Sequence, residues 1–214
     1  MAKKSNTKSK IVASAWKLFY EQGYDGTTVD EIIKDSGTSR GSFYHYFDGK
    51  DALVGSLADL FDEKYEQLMP NIKDDMSAID ALIYLNRELF HMIENQIDID
   101  LLSRLFASQL TTKGDLTLLD NNRVYYKLIK KLVIKGQENG EIVDTMTVNE
   151  IVKYYAMCER ALMYDWCLSK GGYSLKEYGV KTMPMFLTKL KKMSRTEASP
   201  WARCAFSKRL CHLI

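Results

Sequence analysis

Apolar residues recur at helical spacing along almost the whole chain. Ile11, Ala15, Leu18 and Phe19 form one stripe and predict a helix over 5–22, ended by Gly23. Val29, Ile32 and Ile33 give a second helix over 29–35, opened by the capping-box pair Thr28 and Glu31. Ser36-Gly37-Thr38 breaks it, with Gly37 where a positive φ is wanted. A third short helix begins near Ser39 and has Phe43 and Phe47, four residues apart, as core anchors. A fourth begins at 49–50, carries Leu53, Val54, Leu57, Leu60, Phe61 and Leu68, and stops at Pro70. Further helices are predicted over 77–95, 100–110 and 118–138, with a loop at 111–115. The last two cover 147–168 and 174–193, opened by Thr147/Glu150 and Ser174/Glu177 and separated by Gly171-Gly172. No stretch combines β-branched alternation with turn signals. The pattern predicts an all-α protein.

The pair at 29–47 reads as a helix-turn-helix. With Phe43 and Phe47 turned inward, Ser39, Arg40, Gly41, Ser42, Tyr44, His45 and Tyr46 remain outside. Hydrogen-bonding groups, a cation and a glycine that permits close approach suit the edge of a DNA groove. Two such helices alone also fit all-α proteins that touch no DNA. The residues narrow the choice. SGTSRGSFYHYFDGKDAL resembles the DNA-binding segment of the TetR family of bacterial transcriptional regulators, in Gly37, Ser39-Arg40-Gly41, Phe43, Tyr44, Phe47 and Lys50-Asp51. KIVASAWKLFYEQGYDGTTVDEI is similar to that family's first helix, in Ala15, Leu18, Phe19, Gly23, Tyr24 and Thr27-Thr28. The resemblance runs to about residue 60.

The resemblance implies a three-helix helix-turn-helix DNA-binding domain at 1–50, a connecting helix at 50–69, and a larger helical ligand-binding and dimerisation domain at 70–193. It places Arg40 on a guanine edge or a phosphate, and shares base-edge and phosphate contacts among Ser39, Ser42, Tyr44, His45 and Tyr46. Gly41 clears space, and Thr28 and Lys50 hold phosphates. A cation at a helix start is mildly unfavourable, which suggests a task for Lys50 outside the fold. Gly49 makes a weak cap there. Ile151, Val152, Tyr155, Ala156, Leu162, Met163 and Trp166 form a wide apolar band, and Val180, Met183, Leu187 and Leu190 a second stripe. The resemblance implies a homodimer through the helices at 147–168 and 174–193, and WCLSKGGYSLKEY is similar to the family's C-terminal pattern. A recognition helix of about seven residues is about 10 Å long and reads three or four base pairs. A dimer on a near-palindromic double-stranded operator supplies the missing specificity. The family's usual mode is repression relieved by a small-molecule effector. Phe90, His91, Glu94, Phe106, Tyr125, Tyr126, Met163 and Trp166 are candidates to line its pocket, and ten methionines and thirteen tyrosines suit a large apolar or cationic compound.

Composition adds limits. The 214 residues are 46% hydrophobic and 27% charged, with a formal net charge of +2, so no global basic field marks a nucleic-acid binder. Lys3, Lys4, Lys8 and Lys10 form a local basic arm, suited to phosphates or to a solvated terminus. No apolar run reaches membrane-span length and no signal-peptide core follows the basic start, so a cytoplasmic protein is expected. Cys158 and Cys167 lie about 13 Å apart along one helix and cannot pair within it. Cys204 and Cys211-His212 lack zinc spacing, so no metal or cofactor is expected. Residues 194–214 lose the helical period and are expected to lie outside the native fold, as read-through or disordered sequence. No phosphate loop, nucleophile elbow or metal cluster supports an enzyme. Two other readings share the pattern: an architectural or division-associated DNA binder without an effector, and a dimeric ligand-binding protein that has lost DNA binding.

Overall fold

A computed structural model of the protein describes the backbone of residues 2–111 and 116–192, with side chains from Thr7 onward. The expected tail at 194–214, most of the loop at 111–115, and the side chains of Lys3 and Lys4 lie outside the described residues. Helix α1 (Ala2–Gly26) bends at Gly23, whose φ of 78° is open to glycine, and finishes in one further turn. It packs against α2 (Val29–Ser36) and α3 (Arg40–Tyr46). Ile11, Ala15, Phe19, Ile32, Phe43 and Phe47 are all buried in one apolar cluster, so the predicted stripes face inward.

The expected single helix at 50–69 is two helices, α4 (Lys50–Val54) and α5 (Leu57–Leu68). The break has a local cause. The Ser56 hydroxyl donates to the Leu53 carbonyl at 2.6 Å and accepts the Trp16 indole N–H at 2.9 Å. Around it the backbone tightens to three-residue bonds, Ser56 N–H to Leu53 O and Asp59 N–H to Ser56 O, both 3.0 Å. Trp16 reaches that point from α1, so contact with the first helix coincides with the break in the connecting one.

The larger C-terminal part comprises α6 (Ala78–Gln96), α7 (Ile99–Thr111), α8 (Val124–Glu138), α9 (Val148–Leu168) and α10 (Leu175–Leu187). Helix α6 is central and packs on α5, α8 and α10. Its approach to α10 is close: a Cβ on Gly179 would stand 2.6 Å from the Phe90 ring. The helix expected from 118 begins only at Val124, after a 3-10 turn at Thr117–Leu119, because α8 takes its cap from another helix. Asp62 of α5 accepts the Val124 and Tyr125 N–H groups at 3.2 Å and pairs with Arg123 at 2.8 Å. The helix expected over 174–193 ends at Leu187 and passes into a 3-10 turn at Thr188–Leu190. Among the described residues the extended pairing is one isolated antiparallel bridge, Ile142 to Lys191. Two of the three expected capping boxes are complete, at Thr28/Glu31 and Thr147/Glu150. At the third, Ser174 accepts the Glu177 N–H, but its hydroxyl and the Lys176 N–H both bond to Glu94, at 3.0 Å.

The wide apolar band of α9 is consumed within the protomer: Ile151, Val152, Tyr155, Ala156, Leu162, Met163 and Trp166 are all buried. Of the second stripe, Met183 and Leu187 on α10 and Leu190 in the following 3-10 turn are buried too, while Val180 is exposed. A different stripe is left outside. Met157, Tyr164 and Leu168 on α9 are 53%, 47% and 65% exposed, and Tyr178 and Met185 on α10 are 46% and 71% exposed. No helix among the described residues is long and apolar enough to cross a membrane.

Candidate nucleic-acid interface and effector cavity

The helix-turn-helix is built from local caps. Thr28 accepts the Glu31 N–H, and Glu31 in return accepts the Thr28 N–H at 2.7 Å and its hydroxyl at 2.8 Å. These bonds hold the Glu31 carboxyl below its ordinary range. They also occupy the Thr28 hydroxyl proton, so a phosphate at Thr28 would have to displace an acid. Gly37, at φ 62°, closes α2, and the Thr38 N–H returns to Ile33 O at 3.2 Å. Ser39 then caps α3 by accepting the Ser42 N–H at 3.0 Å, with the Ser42 hydroxyl 2.9 Å away. Phe43 and Phe47 anchor the helix inward. Ser39, Arg40, Gly41, Tyr44 and His45 are exposed on the other side, whereas Ser42 and Tyr46 are half-buried, Tyr46 packing against the core. The Arg40 side chain is 68% exposed, with Asp30 3.6 Å away and the Tyr44 ring 6.0 Å from its guanidinium carbon. That pair is open to water and easily exchanged for an anion.

Lys50 is placed differently from expectation, because its task lies within the fold. Its ammonium donates to the carbonyls of Tyr24 at 2.6 Å and Thr27 at 2.9 Å, and lies 4.2 Å from the Tyr24 ring centroid. These bonds close the turn that delivers the chain to α2 and offset the unfavourable helix-start position. An ammonium has three donors, so one remains. The same tyrosine donates its hydroxyl to Asp51, and burial together with that carboxylate pushes its pKa up. Arg104 of α7 lies 4.3 Å from the Tyr24 ring and donates to both Asp25 carboxylate oxygens at 2.7 Å. The larger helical part thereby grips the turn that leads into α2. Neither Arg104 nor this grip is legible from helical periodicity.

Inside the larger part, Glu159 is 2% exposed. One carboxyl oxygen lies 2.9 Å from the Asn86 amide and 3.0 Å from the Tyr155 hydroxyl, and the other accepts the Tyr125 hydroxyl at 2.6 Å. Burial pushes its pKa up against the pull of these bonds. The Tyr155 hydroxyl also reaches the Leu82 carbonyl at 2.8 Å, and it has one proton for two acceptors. A protonated Glu159 that donates to Tyr155 satisfies both, in accord with the raised pKa. Glu159 borders a cavity of about 30 Å³, also lined by Phe61, Tyr65, Leu118, Tyr125 and Met163. The Tyr65 hydroxyl is buried beside Glu159 without a hydrogen bond of ordinary geometry, and burial with that carboxyl pushes its pKa up.

Of the eight expected pocket residues, Tyr125 and Met163 line this cavity. Tyr126 instead lines the neighbouring cleft between α8 and α9 and donates to the Leu118 carbonyl at 2.9 Å. The others are dispersed. Phe90 is packed beneath Gly179, Trp166 donates to the Tyr173 carbonyl, and Phe106 meets Tyr164 edge-on at 6.2 Å. Glu94 caps α10, and His91 is exposed beside Asn95. Helical phase separates them: residues a few positions apart on α6 face different neighbours. Tyr65, Asn86 and Glu159 were not among the candidates. The signal for Glu159 is an acid one turn after Tyr155 on the apolar face of α9. Among the described residues no group of three or more His, Cys, Asp or Glu is arranged to hold a metal, and Cys158 and Cys167 are free.

Comparison with known proteins agrees with this geometry. Residues 11–57 match the family model described as bacterial regulatory proteins, tetR family. The uncharacterized HTH-type transcriptional regulator YvdT of Bacillus subtilis (strain 168) is 28% identical over 138 residues, 63% of this chain and 69% of that protein. The biofilm operon icaADBC negative transcriptional regulator IcaR of Staphylococcus aureus is 37% identical over 90 residues, 42% of this chain and 48% of IcaR. The solved structure of Thermus thermophilus FadR, a TetR-family repressor in complex with lauroyl-CoA, shares the fold, with a TM-score of 0.69 at 21% identity, covering 89% of this chain and 99% of that one. Residues 11–57, which hold the capped helix-turn-helix, thus match the tetR family of bacterial regulatory proteins, and the chain with its larger helical part shares the fold of a solved TetR-family repressor.

Proposed function

We propose that the protein is a homodimeric repressor that reads a near-palindromic operator with α3 of each protomer and is released by a small-molecule effector. The observation that carries the reading is the face of α3. Ser39, Arg40, Gly41, Tyr44 and His45 stand exposed on a helix whose opposite side is fixed by buried Phe43 and Phe47. Arg40 takes a guanine edge or a phosphate, and the remaining polar groups share the edge and backbone contacts. Lys50 uses its remaining donor on a phosphate while holding the turn. The exposed Met157/Tyr164/Leu168 and Tyr178/Met185 stripes on α9 and α10 support pairing through those two helices. The helices to Leu68 would then form the DNA-binding unit with its connector, and those from residue 70 onward the regulatory unit.

Repression is supported by likeness to IcaR, a negative regulator. An effector is supported by the fold shared with acyl-CoA-bound FadR proteins and by the small cavity beside the buried Glu159. The test is an electrophoretic shift on the DNA upstream of the protein's own gene, near physiological salt with competitor DNA. A discrete band lost with Arg40→Ala supports the reading. A band that survives that substitution would refute the role of α3.

A further inference from the structure

An open cleft of about 500 Å³ lies between α1, α5 and the link from α6 into α7, and it shares no lining residue with the cavity beside Glu159. That volume is in the range of small-molecule sites. Its walls differ in chemistry. On α1, Trp16 and Tyr20 stand one turn apart, and Tyr20 is 81% exposed, the most open aromatic ring among the described residues. The Trp16 indole is held at the wall by its N–H bond to Ser56, itself part of the lining. Helix α5 supplies Asp59 and Glu63, also one turn apart, where like charges repel. Asp98, in the link, caps α7 with one oxygen, accepting the Asp100 N–H at 2.8 Å and the Leu101 N–H at 3.3 Å. None of these three carboxylates makes a salt bridge among the described residues. Lys8 is the cation of the lining, so the cleft is acidic in a chain of formal net charge +2. Leu60, Ile97 and Leu101 add apolar surface.

We infer that this cleft binds an organic cation with a flat aromatic body. Ring faces attract cations, and the carboxylates of α5 and the link supply the opposite charge. An anion would meet three like charges, and a neutral apolar compound would take the carboxylates out of water without pairing them. The body packs on Trp16, Tyr20 and the apolar residues, with its charge toward Asp59 and Glu63. The ligand would touch α1, which packs against α2 and α3, and also Ile97, Asp98 and Leu101 at the start of the α7 region. Its binding is therefore linked to how these two parts are arranged. The site itself stands on the cleft alone; only its bearing on operator release rests on the reading above.

The experiment is calorimetric titration of the full chain with N-methylacridinium, beside acridine, acridine carboxylate and tetramethylammonium, at a pH where acridine is neutral. Saturable binding of N-methylacridinium is expected, at least about tenfold tighter than acridine, with the carboxylate and tetramethylammonium weaker still. The double variant Asp59→Asn/Glu63→Gln keeps the shape of two exposed side chains. With its fold checked by circular dichroism, it should lose at least about tenfold in affinity for the cation and leave acridine binding unchanged. Tyr20→Ala should weaken binding of both ring compounds, whereas Lys8→Ala should tighten the cation alone. Absence of saturable binding, or acridine or its carboxylate binding as tightly as the cation, would overturn the charge assignment. Tetramethylammonium doing so would remove the aromatic body. Unchanged affinity in the double variant and in Tyr20→Ala would overturn the cleft. The link to the DNA-facing helices is read separately, as the difference in operator release between wild type and the double variant, which cancels the cation's own affinity for DNA. No difference there would overturn the link and not the site.

Discussion

Gly41→Ala separates the fold from the function at a single methyl group. Gly41 lies in the first turn of α3, its φ is not positive, and a Cβ built there meets nothing closer than the Ser39 hydroxyl at 4.0 Å. The folded protein therefore accepts the methyl without strain. Alanine also restricts the unfolded chain more than glycine does, so the variant should be more stable by about 0.5–1 kcal/mol. For a chain of this size that corresponds to a melting temperature higher by about 1–4 °C. On the DNA side the same methyl projects beside Arg40 and Ser42, where the reading above needs close approach. Displacing the helix enough to lose one good contact costs about 1.4 kcal/mol, or tenfold in affinity. The assay pairs thermal and urea unfolding at fixed protomer concentration with operator binding by fluorescence anisotropy. Higher stability with operator affinity at least about tenfold lower is expected. Undiminished operator affinity would show that α3 does not press its residue 41 against DNA, and lower stability would contradict the open space around the site.

Gly179→Ala should behave in the opposite way: its Cβ would stand 2.6 Å from the buried Phe90 ring and 3.2 Å from Asn86 Oδ1, so overpacking of about 1–3 kcal/mol outweighs a helix-propensity gain of about 1. Urea unfolding should show net destabilisation, relieved by Phe90→Leu in the same chain; a stabilised Gly179→Ala would refute the packing argument. Arg104→Ala and Asp25→Ala should be non-additive in a double-mutant cycle on stability, with a coupling of about 0.2–1 kcal/mol because the pair is largely exposed, and a coupling of zero would mean the ion pair does not hold in solution. Glu159→Gln bears on pH. Because the folded carboxyl titrates above the unfolded one, the unfolded chain releases its proton first, and stability falls as pH rises from the ordinary glutamate value toward the folded one. The difference in slope between wild type and the glutamine variant isolates this term from carboxyls such as Glu31 and Glu150, whose lowered pKa values act in the other direction, and a difference of the other sign would place the folded Glu159 pKa below the ordinary value.

Features set within one turn of chain were readable in advance. Thr28 with Glu31, Gly37, Ser39, and Thr147 with Glu150 each act on a neighbour a few residues away, so the caps and helices could be placed from the sequence. Where a distant residue decides, the reading failed. The break at Gly55-Ser56 involves Trp16, 40 positions earlier, and Glu94 takes part of the expected role of Glu177 from 80 positions before Ser174. Lys50 looked surplus to the fold because its carbonyl partners lie 26 and 23 residues back. Residue type alone suggests pocket residues, but helical phase decides which of them meet. Of those on α6, Phe90 faces α10, and His91 faces outward. The α9 band was apolar enough for an interface but was already spent on the core, which left Met157, Tyr164 and Leu168 as the exposed stripe.

The grip of Arg104 on the Tyr24–Asp25 turn is polar, and its two side chains are 40% and 81% exposed. An exposed ion pair with one cation–aromatic contact is worth roughly 1–2 kcal/mol. It acts beside the apolar packing of α4 on α7, where Leu53 and Val54 are buried, so it adds a polar increment to the orientation of the N-terminal helices. A ligand that favours one orientation over the other by a factor of about ten supplies about 1.4 kcal/mol, the same order as the grip itself. On the proposed effector reading, selectivity of that size offsets the polar grip and leaves the apolar packing of α4 on α7 as the remaining restraint.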